Sequence, residues 1–153
     1  QPYIVALMTQ LARTRPDAKA LDVGTGSGYQ AAVLAKLCKH VYSIEIVETL
    51  AKKAKQRLKQ RGYENVTVRY GDGYQGWPEQ APFDLIIVAA APDHVPQPLV
   101  DQLSIGGRLV IPVGKYSQHL VVMEKLDDGR IREMKVIPVA FVPMTGRALD
   151  GGK

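Results

Sequence analysis

The sequence lacks the features that several large classes of protein require. Its only cysteine is Cys38, so the chain forms no internal disulfide and fits a reducing compartment such as the cytoplasm. Its three histidines lie far apart, without the spacing of metal ligands, which predicts that no metal is bound. No apolar run approaches the ~20 residues of a membrane span, and no basic segment leads into an apolar one as in a secretory signal. We therefore expect a cytoplasmic protein with no membrane partner.

The composition that remains is typical of one globular domain. The chain has 153 residues, of which 46% are apolar and 23% are charged, a balance that supports a sizeable core. We expect the domain to cover residues 1–146 and residues 147–153 to form a tail. Much of the net charge of +5 lies in residues 52–61, whose apolar positions share one helical stripe. We interpret this basic segment as a solvated helix face, with phosphate binding as the alternative.

Residues 20–29 (ALDVGTGSGY) are the stretch around which the rest is organised. They predict a buried strand, a loop with glycine at alternate positions, and a helix that begins near Tyr29. Gly24, Gly26 and Gly28 allow backbone N–H groups to approach a ligand, and the helix N-terminus adds a partial positive charge. A dinucleotide fingerprint would need a glycine where Tyr29 stands. The spacing resembles the first motif of S-adenosylmethionine-dependent methyltransferases; NAD binding and a plain glycine-rich turn are the alternatives.

Two acidic residues stand where later predicted strands end. Glu45 closes the second strand, 21 positions after Gly24, where one carboxylate can accept hydrogen bonds from both ribose hydroxyls. The alternative is an acid that stabilises a helix N-terminus. Asp72 stands between two glycines after the third strand, where it can reach the edge of a base. An ordinary turn aspartate is the alternative there.

The remaining pattern predicts an α/β fold. Strands alternate with helices as far as a fifth strand at residues 108–113, which is typical of a parallel, doubly wound sheet. Residues 118–125 and 131–139 flank an Asp-Asp-Gly turn and predict an antiparallel hairpin. In such sheets ligands bind at the carboxyl ends of the strands, where the glycine loop, both acids and the small residues 89–92 meet. The glycine loop has no lysine or arginine for a phosphate, which favours S-adenosylmethionine.

The chain resembles the protein-L-isoaspartate O-methyltransferase family over nearly its whole length. The glycine loop is shared by many methyltransferases, whereas the other matching segments, in this order, are more selective. They are residues 1–3 (QPY), 71–73 (GDG) followed by Trp77, 81–84 (APFD), 89–92 (AAAP), 102–103 (QL), 106–109 (GGRL), 111–114 (IPVG) and 141–145 (FVPMT). The resemblance implies a three-layer Rossmann-like methyltransferase fold.

The resemblance also implies a reaction and its site residues. Methyl would pass from S-adenosylmethionine, leaving S-adenosylhomocysteine, to the α-carboxylate of L-isoaspartyl residues in damaged proteins, starting their repair through a succinimide. The implied cofactor-binding residues are Gly24, Thr25, Gly26, Ser27, Gly28, Glu45, Ile46, Asp72, Gly73 and Ala89. The implied substrate-binding residues are Gln1, Pro2, Val142, Pro143, Met144 and Thr145. The partners would be isoaspartyl-containing proteins and peptides, and we expect a monomer with no nucleic-acid partner.

No catalytic residue is assigned from this sequence. In the family the active-site serine lies upstream of the position of Gln1, so we expect an N-terminally truncated member. A carboxylate acceptor is already ionised at pH 7, so the chemistry needs positioning more than a base, and Asp84 and Asp93 are interpreted as structural. Three alternatives stay open: a methyltransferase for a small molecule or nucleic acid, a fragment that binds S-adenosylmethionine without turnover, and an NAD-dependent oxidoreductase.

Overall fold

The predicted strands form one seven-stranded sheet with helices packed on it. The computed structural model describes residues 1–151. In chain order the strands are β1 (Lys19–Val23), β2 (His40–Glu45), β3 (Val66–Tyr70), β4 (Phe83–Val88), β5 (Leu103–Val113), β6 (Gln118–Lys125) and β7 (Ile131–Val139). The helices are α1 (Pro2–Ala12), α2 (Tyr29–Leu37), α3 (Glu48–Gln60) and α4 (Gln97–Asp101), with 3-10 turns at Gly73–Gln75, Pro78–Gln80 and Gly146–Asp150.

The sheet order places the ends of β1 and β4 at the centre of one edge. The order is β3-β2-β1-β4-β5-β6-β7, parallel from β3 to β5 and antiparallel for β6 and β7. The chain therefore leaves β1 toward β2 and β3 on one side and resumes with β4 on the other. This reversal is the topological switch point at which open α/β sheets bind ligands. The predicted doubly wound sheet with a C-terminal antiparallel hairpin is confirmed.

Successive residues of the central strands point to opposite faces and fill two cores. In β1, Leu21 belongs to one buried cluster and Ala20 to the other, and both are fully buried. α1, α2 and the Leu58 stripe of α3 cover the Ala20 face, while α4 and the aromatic side chain of Trp77 cover the Leu21 face. Burial on both faces explains why the central strands read as continuous apolar runs.

Local backbone conformation sets the end of α1 and the start of β5. α1 ends at Ala12, and Arg13 after it adopts a left-handed conformation with φ +56°. β5 begins at Leu103 rather than at residue 108. Gly106 and Gly107 lie where the pairing of β5 with β4 shifts in register, as in a β-bulge.

Part of the predicted tail packs on the domain. Residues 147–150 belong to the last 3-10 turn, Ala148 is buried, and the backbone N–H of Arg147 donates to Asp72 Oδ2 at 2.8 Å. This contact spans 75 positions of sequence, so no local pattern could indicate it. Residues 152–153 of the predicted tail lie outside the described residues. Within residues 1–151, none of the helices has both the length and the apolar character needed to cross a membrane.

The connection from β5 to β6 depends on a backbone conformation that favours glycine. Gly114 has φ +140°, and a Cβ there would overlap the carbonyl oxygen of Ser117. Gly129, in the β6–β7 turn, has φ +84°, but a Cβ there would meet no atom within 4 Å. An alanine at position 114 would therefore cause both backbone strain and a steric clash, whereas an alanine at position 129 would cause backbone strain alone.

We expect Gly114→Ala to lower the free energy of unfolding by more than Gly129→Ala does. The Gly129 change should cost only the ~1–2 kcal/mol of placing alanine in a left-handed conformation, because the site is open. Urea unfolding of both variants and the parent chain measures the difference. Equal losses would contradict a steric role for the Ser117 carbonyl.

Candidate functional site

One cavity opens at the carboxyl ends of β1, β2 and β4. Its volume is about 330 Å³, within the ~300–1,000 Å³ range of ligand sites. Its walls are mostly apolar, and the ionisable side chains that line it are those of Glu45 and Asp72. The lining includes eleven of the residues that the sequence singled out: Gly24, Gly26, Glu45, Ile46, Asp72, Gly73, Ala89, Val142, Pro143, Met144 and Thr145.

The glycine loop is held in a conformation that side chains would oppose. Gly24 and Gly26 have φ values of +93° and +52°, which favour glycine. The N–H of Gly24 donates to the carbonyl of Ile44 at 2.8 Å, which ties the loop to the neighbouring strand. A Cβ on Gly24 would lie 3.6 Å from the Cβ of Ala89. The loop thus brings bare backbone to the cavity wall beside the end of β4.

Glu45 connects the glycine loop to the start of α3. Its Oε1 accepts the Gly26 N–H at 2.8 Å and its Oε2 accepts the Val47 N–H at 3.0 Å. The residue is only 6% exposed, so these bonds fix the carboxylate at the cavity wall. A carboxylate oxygen can accept a second hydrogen bond, so the arrangement leaves acceptor capacity for hydroxyl groups of a ligand.

Asp72 also receives two backbone hydrogen bonds, from opposite directions. The N–H of Tyr74 donates to Oδ1 at 3.0 Å, which caps the 3-10 turn that follows. The N–H of Arg147 donates to Oδ2 at 2.8 Å. Gly146 must be small here, because a Cβ would approach Asp72 Oδ2 to 2.5 Å. The carboxylate is therefore clamped between its own turn and the C-terminal segment.

Residues 142–145 of the C-terminal segment form a further wall of the cavity. We call residues 142–148 the C-terminal strap. Ala91 pairs with it through both backbone groups: its N–H donates to Val142 O at 2.8 Å, and its carbonyl accepts the Met144 N–H at 2.9 Å. Pro143 forms the bridge position. The strap thus holds the predicted substrate-binding residues Val142–Thr145 against the loop that follows β4.

Five of the predicted site residues lie elsewhere in the structure. Thr25 is buried, and its hydroxyl pairs with that of Ser43 at 2.5 Å. Ser27 and Gly28 line a separate groove between α2 and α3. Gln1 lines an adjoining apolar groove that shares Ala89 and Val142 with the cavity, and Pro2 lies in the first turn of α1.

Some residues that line the cavity were not predicted from the sequence. Val47 and Leu50, at the start of α3, line it beside Ala90, which lies in the predicted stretch of small residues 89–92. One feature of the sequence indicates that Val47 and Leu50 line the cavity: both follow closely after Glu45, at the same edge of the sheet. No group of three or more histidine, cysteine, aspartate or glutamate residues within residues 1–151 is arranged to hold a metal ion.

Buried side-chain hydrogen bonds connect the glycine loop to β1 and β2. Ser43 donates to Asp22 Oδ2 at 2.7 Å and pairs with the Thr25 hydroxyl, so β1, β2 and the loop are connected. Asp22 is fully buried, and its Oδ1 has no hydrogen-bond partner among the described residues. Burial raises the pKa of this carboxyl to about 7, the Ser43 hydrogen bond opposes the shift, and the charge of Glu45 adds to it. Near neutral pH the neutral form is therefore present.

The sheet and the site define a class of protein. A doubly wound sheet with an antiparallel hairpin, a glycine loop after β1 and acids after β2 and β3 is the arrangement of Rossmann-like S-adenosylmethionine-dependent methyltransferases. Residues 1–149 match the family model described as Protein-L-isoaspartate(D-aspartate) O-methyltransferase. The chain belongs to the protein-L-isoaspartate O-methyltransferase family.

Individual relatives agree with this family. The chain is 58% identical over 149 residues to a protein-L-isoaspartate O-methyltransferase 2 of Polaromonas sp., covering 96% of this chain and 71% of the relative. It is 57% identical over 148 residues to the protein of the same name from Syntrophobacter fumaroxidans, covering 95% and 60%. The chain thus spans about 60–70% of these curated relatives.

Solved structures show the same fold. A protein-L-isoaspartate O-methyltransferase superposes with a TM-score of 0.90 at 30% identity, covering 97% of this chain and 48% of that one. A Plasmodium falciparum family member in complex with S-adenosyl-L-homocysteine gives a TM-score of 0.82 at 27% identity, covering 94% and 74%. The predicted family and fold are confirmed.

We expect Asp22→Asn to raise the free energy of unfolding, and by an amount that depends on pH. The folded-state pKa of Asp22 lies above the unfolded value, so the unfolded chain binds fewer protons between about pH 4 and pH 7. The parent chain therefore loses stability as pH rises through that window, while asparagine removes the ionisation. The gain from asparagine should grow to a few kcal/mol by pH 7 and then stay constant.

Urea unfolding between pH 4 and pH 8 measures this effect. Asp127→Asn, at an exposed position in the β6–β7 turn, is the matched control, because it makes the same chemical change outside the core. A gain from Asp22→Asn that is the same at pH 4 and pH 8 would contradict a buried carboxyl with a raised pKa.

Proposed function

We propose that this chain binds S-adenosylmethionine in the cavity at the switch point and methylates the α-carboxylate of L-isoaspartyl residues in proteins. The observation that carries the proposal is that Glu45, Asp72, the glycine loop and the C-terminal strap meet around one cavity. Membership of the protein-L-isoaspartate O-methyltransferase family supports the reaction. The bound S-adenosyl-L-homocysteine in the Plasmodium falciparum structure supports the ligand class.

The residues present fit such a ligand. Gly24 and Gly26 leave backbone exposed where a Cβ would narrow the cavity, and they would hold the methionine part. Glu45 would accept from the ribose hydroxyls, and Asp72 with Gly73 would contact the adenine. Ile46 and Ala89 line the apolar walls between these contacts. Thr25, Ser27 and Gly28 would act through the loop conformation, since their side chains or backbone lie outside the cavity lining.

The chemistry requires little of the chain beyond positioning. S-adenosylmethionine supplies a methyl group activated by a sulfonium. The acceptor carboxylate is ionised at neutral pH, because carboxyl groups ordinarily have pKa values near 4, so no general base is needed. The strap residues Val142–Thr145, with Gln1 and Pro2 nearby, would orient the isoaspartyl backbone, and the apolar walls would exclude water. A cytoplasmic location and a monomeric state stay predictions.

We expect the chain to methylate an isoaspartyl peptide and not its aspartyl twin of the same sequence. The two peptides differ only in which carboxyl group of the residue forms the peptide bond and which remains a free carboxylate, so discrimination between them tests the substrate class. Transfer of labelled methyl from S-adenosylmethionine, with binding of S-adenosylhomocysteine measured in parallel by calorimetry, is the assay. Equal methylation of both peptides would favour another methyltransferase substrate. Binding without turnover would favour a non-catalytic module, and stabilisation by NAD alone would favour an oxidoreductase.

We expect Asp72→Ala to weaken the binding of S-adenosylhomocysteine by about 5- to 150-fold. This range corresponds to the ~1–3 kcal/mol lost when a hydrogen-bonded partner is removed. Glu64→Ala, at an exposed position before β3, is the control and should leave the dissociation constant unchanged. Thermal unfolding without ligand separates lost binding from lost folding. An unchanged dissociation constant for Asp72→Ala would remove this residue from the site.

A further inference from the structure

Three side chains outside the cavity lining form a hydrogen-bonded triad: Tyr74 in the turn after β3, and Asp93 and His94 in the loop between β4 and α4. The Nε2 atom of His94 lies 2.8 Å from the phenol oxygen of Tyr74, and its Nδ1 is paired with the carboxylate of Asp93. The rings of His94 and Tyr74 also meet edge to face, with their centroids 5.6 Å apart. The proposed reaction assigns no role to these three residues.

One tautomer of His94 satisfies both hydrogen bonds. With Nδ1–H donating to the Asp93 carboxylate, Nε2 can accept from the phenol. The hydrogen bond from His94 also holds the pKa of Asp93 below its ordinary value. Tyr74 is only 5% exposed, and a buried phenol needs such a partner.

Tyr74 connects this triad to the cavity. Its neighbour Gly73 lines the cavity, and its own N–H donates to Asp72 Oδ1 at 3.0 Å. One residue therefore bonds the cavity acid through its backbone and the β4–α4 loop through its side chain. The same loop is anchored at Ala91 to the C-terminal strap, and at the Pro92 carbonyl by the Gly114 N–H.

We propose that His94 is a positioning residue for the cofactor site: by holding the phenol of Tyr74, it fixes the turn that presents Asp72 and Gly73 to the cavity. The inference rests on the proposed function, because it assigns a ligand to that cavity. His94 itself does not belong to the cavity lining, so its effect passes through Tyr74. The strap and the turn then form one unit, joined by the β4–α4 loop.

Calorimetric titration with S-adenosylhomocysteine tests this inference. We expect Tyr74→Phe and His94→Ala each to weaken binding by about 2- to 10-fold, as for one lost hydrogen bond. The double variant should bind no more weakly than the weaker single variant, because both changes break the same contact. Since the amide oxygen of glutamine can accept from the phenol, His94→Gln should recover most of the affinity. Gln97→Ala, at an exposed position of α4, is the control.

The outcomes separate this inference from the proposed function. Tyr74→Phe removes one oxygen and keeps the ring, so it tests the contact even if His94→Ala folds poorly. A parent chain that fails to bind S-adenosylhomocysteine would overturn the proposed function, and this inference with it. A parent chain that binds, with unchanged affinity in both single variants or with fully additive losses in the double variant, would overturn the inference alone.

Discussion

The hydrogen bond from the Gly26 N–H to the Glu45 carboxylate is the contact on which the cavity depends. It joins the loop after β1 to the end of β2, and the second oxygen of Glu45 extends the connection to the first turn of α3. Besides this bond, the glycine loop is held by backbone bonds to Ile44, by the Thr25–Ser43 hydroxyl pair and by the Arg57 side chain on the Ser27 carbonyl. Parallel strands bring these chain segments to one edge, and the carboxylate sets their spacing there. The sheet order therefore creates the cavity, and the hydrogen bonds of the buried Glu45 fix the positions of the segments around it.

Three acids at this edge have different environments, although the chain as a whole is basic. Glu45 and Asp72 each accept two backbone N–H groups, and such bonds stabilise a carboxylate. Asp22 has one hydroxyl partner and no exposure, so burial raises its pKa to about 7. The two acids that line the cavity thus have a backbone donor at each carboxylate oxygen, whereas one oxygen of the buried Asp22 has no partner among the described residues.

The sequence predicted the elements of this site better than their contacts. The strands, the glycine loop, Glu45 and Asp72 could be found because each depends on local pattern: apolar runs, glycine spacing and acids at strand ends. Thr25 was placed in the site with its neighbours, but its hydroxyl pairs with Ser43. Ser27 and Gly28 face the groove beside α3. In a loop of alternating conformation, neighbouring residues face different sides, and sequence spacing alone does not say which.

The contacts that were not predicted are mostly hydrogen bonds of backbone groups between residues that lie far apart in the sequence. The Arg147 N–H reaches Asp72, and Ala91 pairs with Val142 and Met144. A backbone donor carries no side-chain signature, so residue 147 could only be interpreted as part of a tail. Gly146 is the exception, because its lack of a Cβ is what allows the approach to Asp72. The strap therefore closes the cavity through main-chain pairing, which leaves the side chains of Val142, Pro143 and Thr145 exposed.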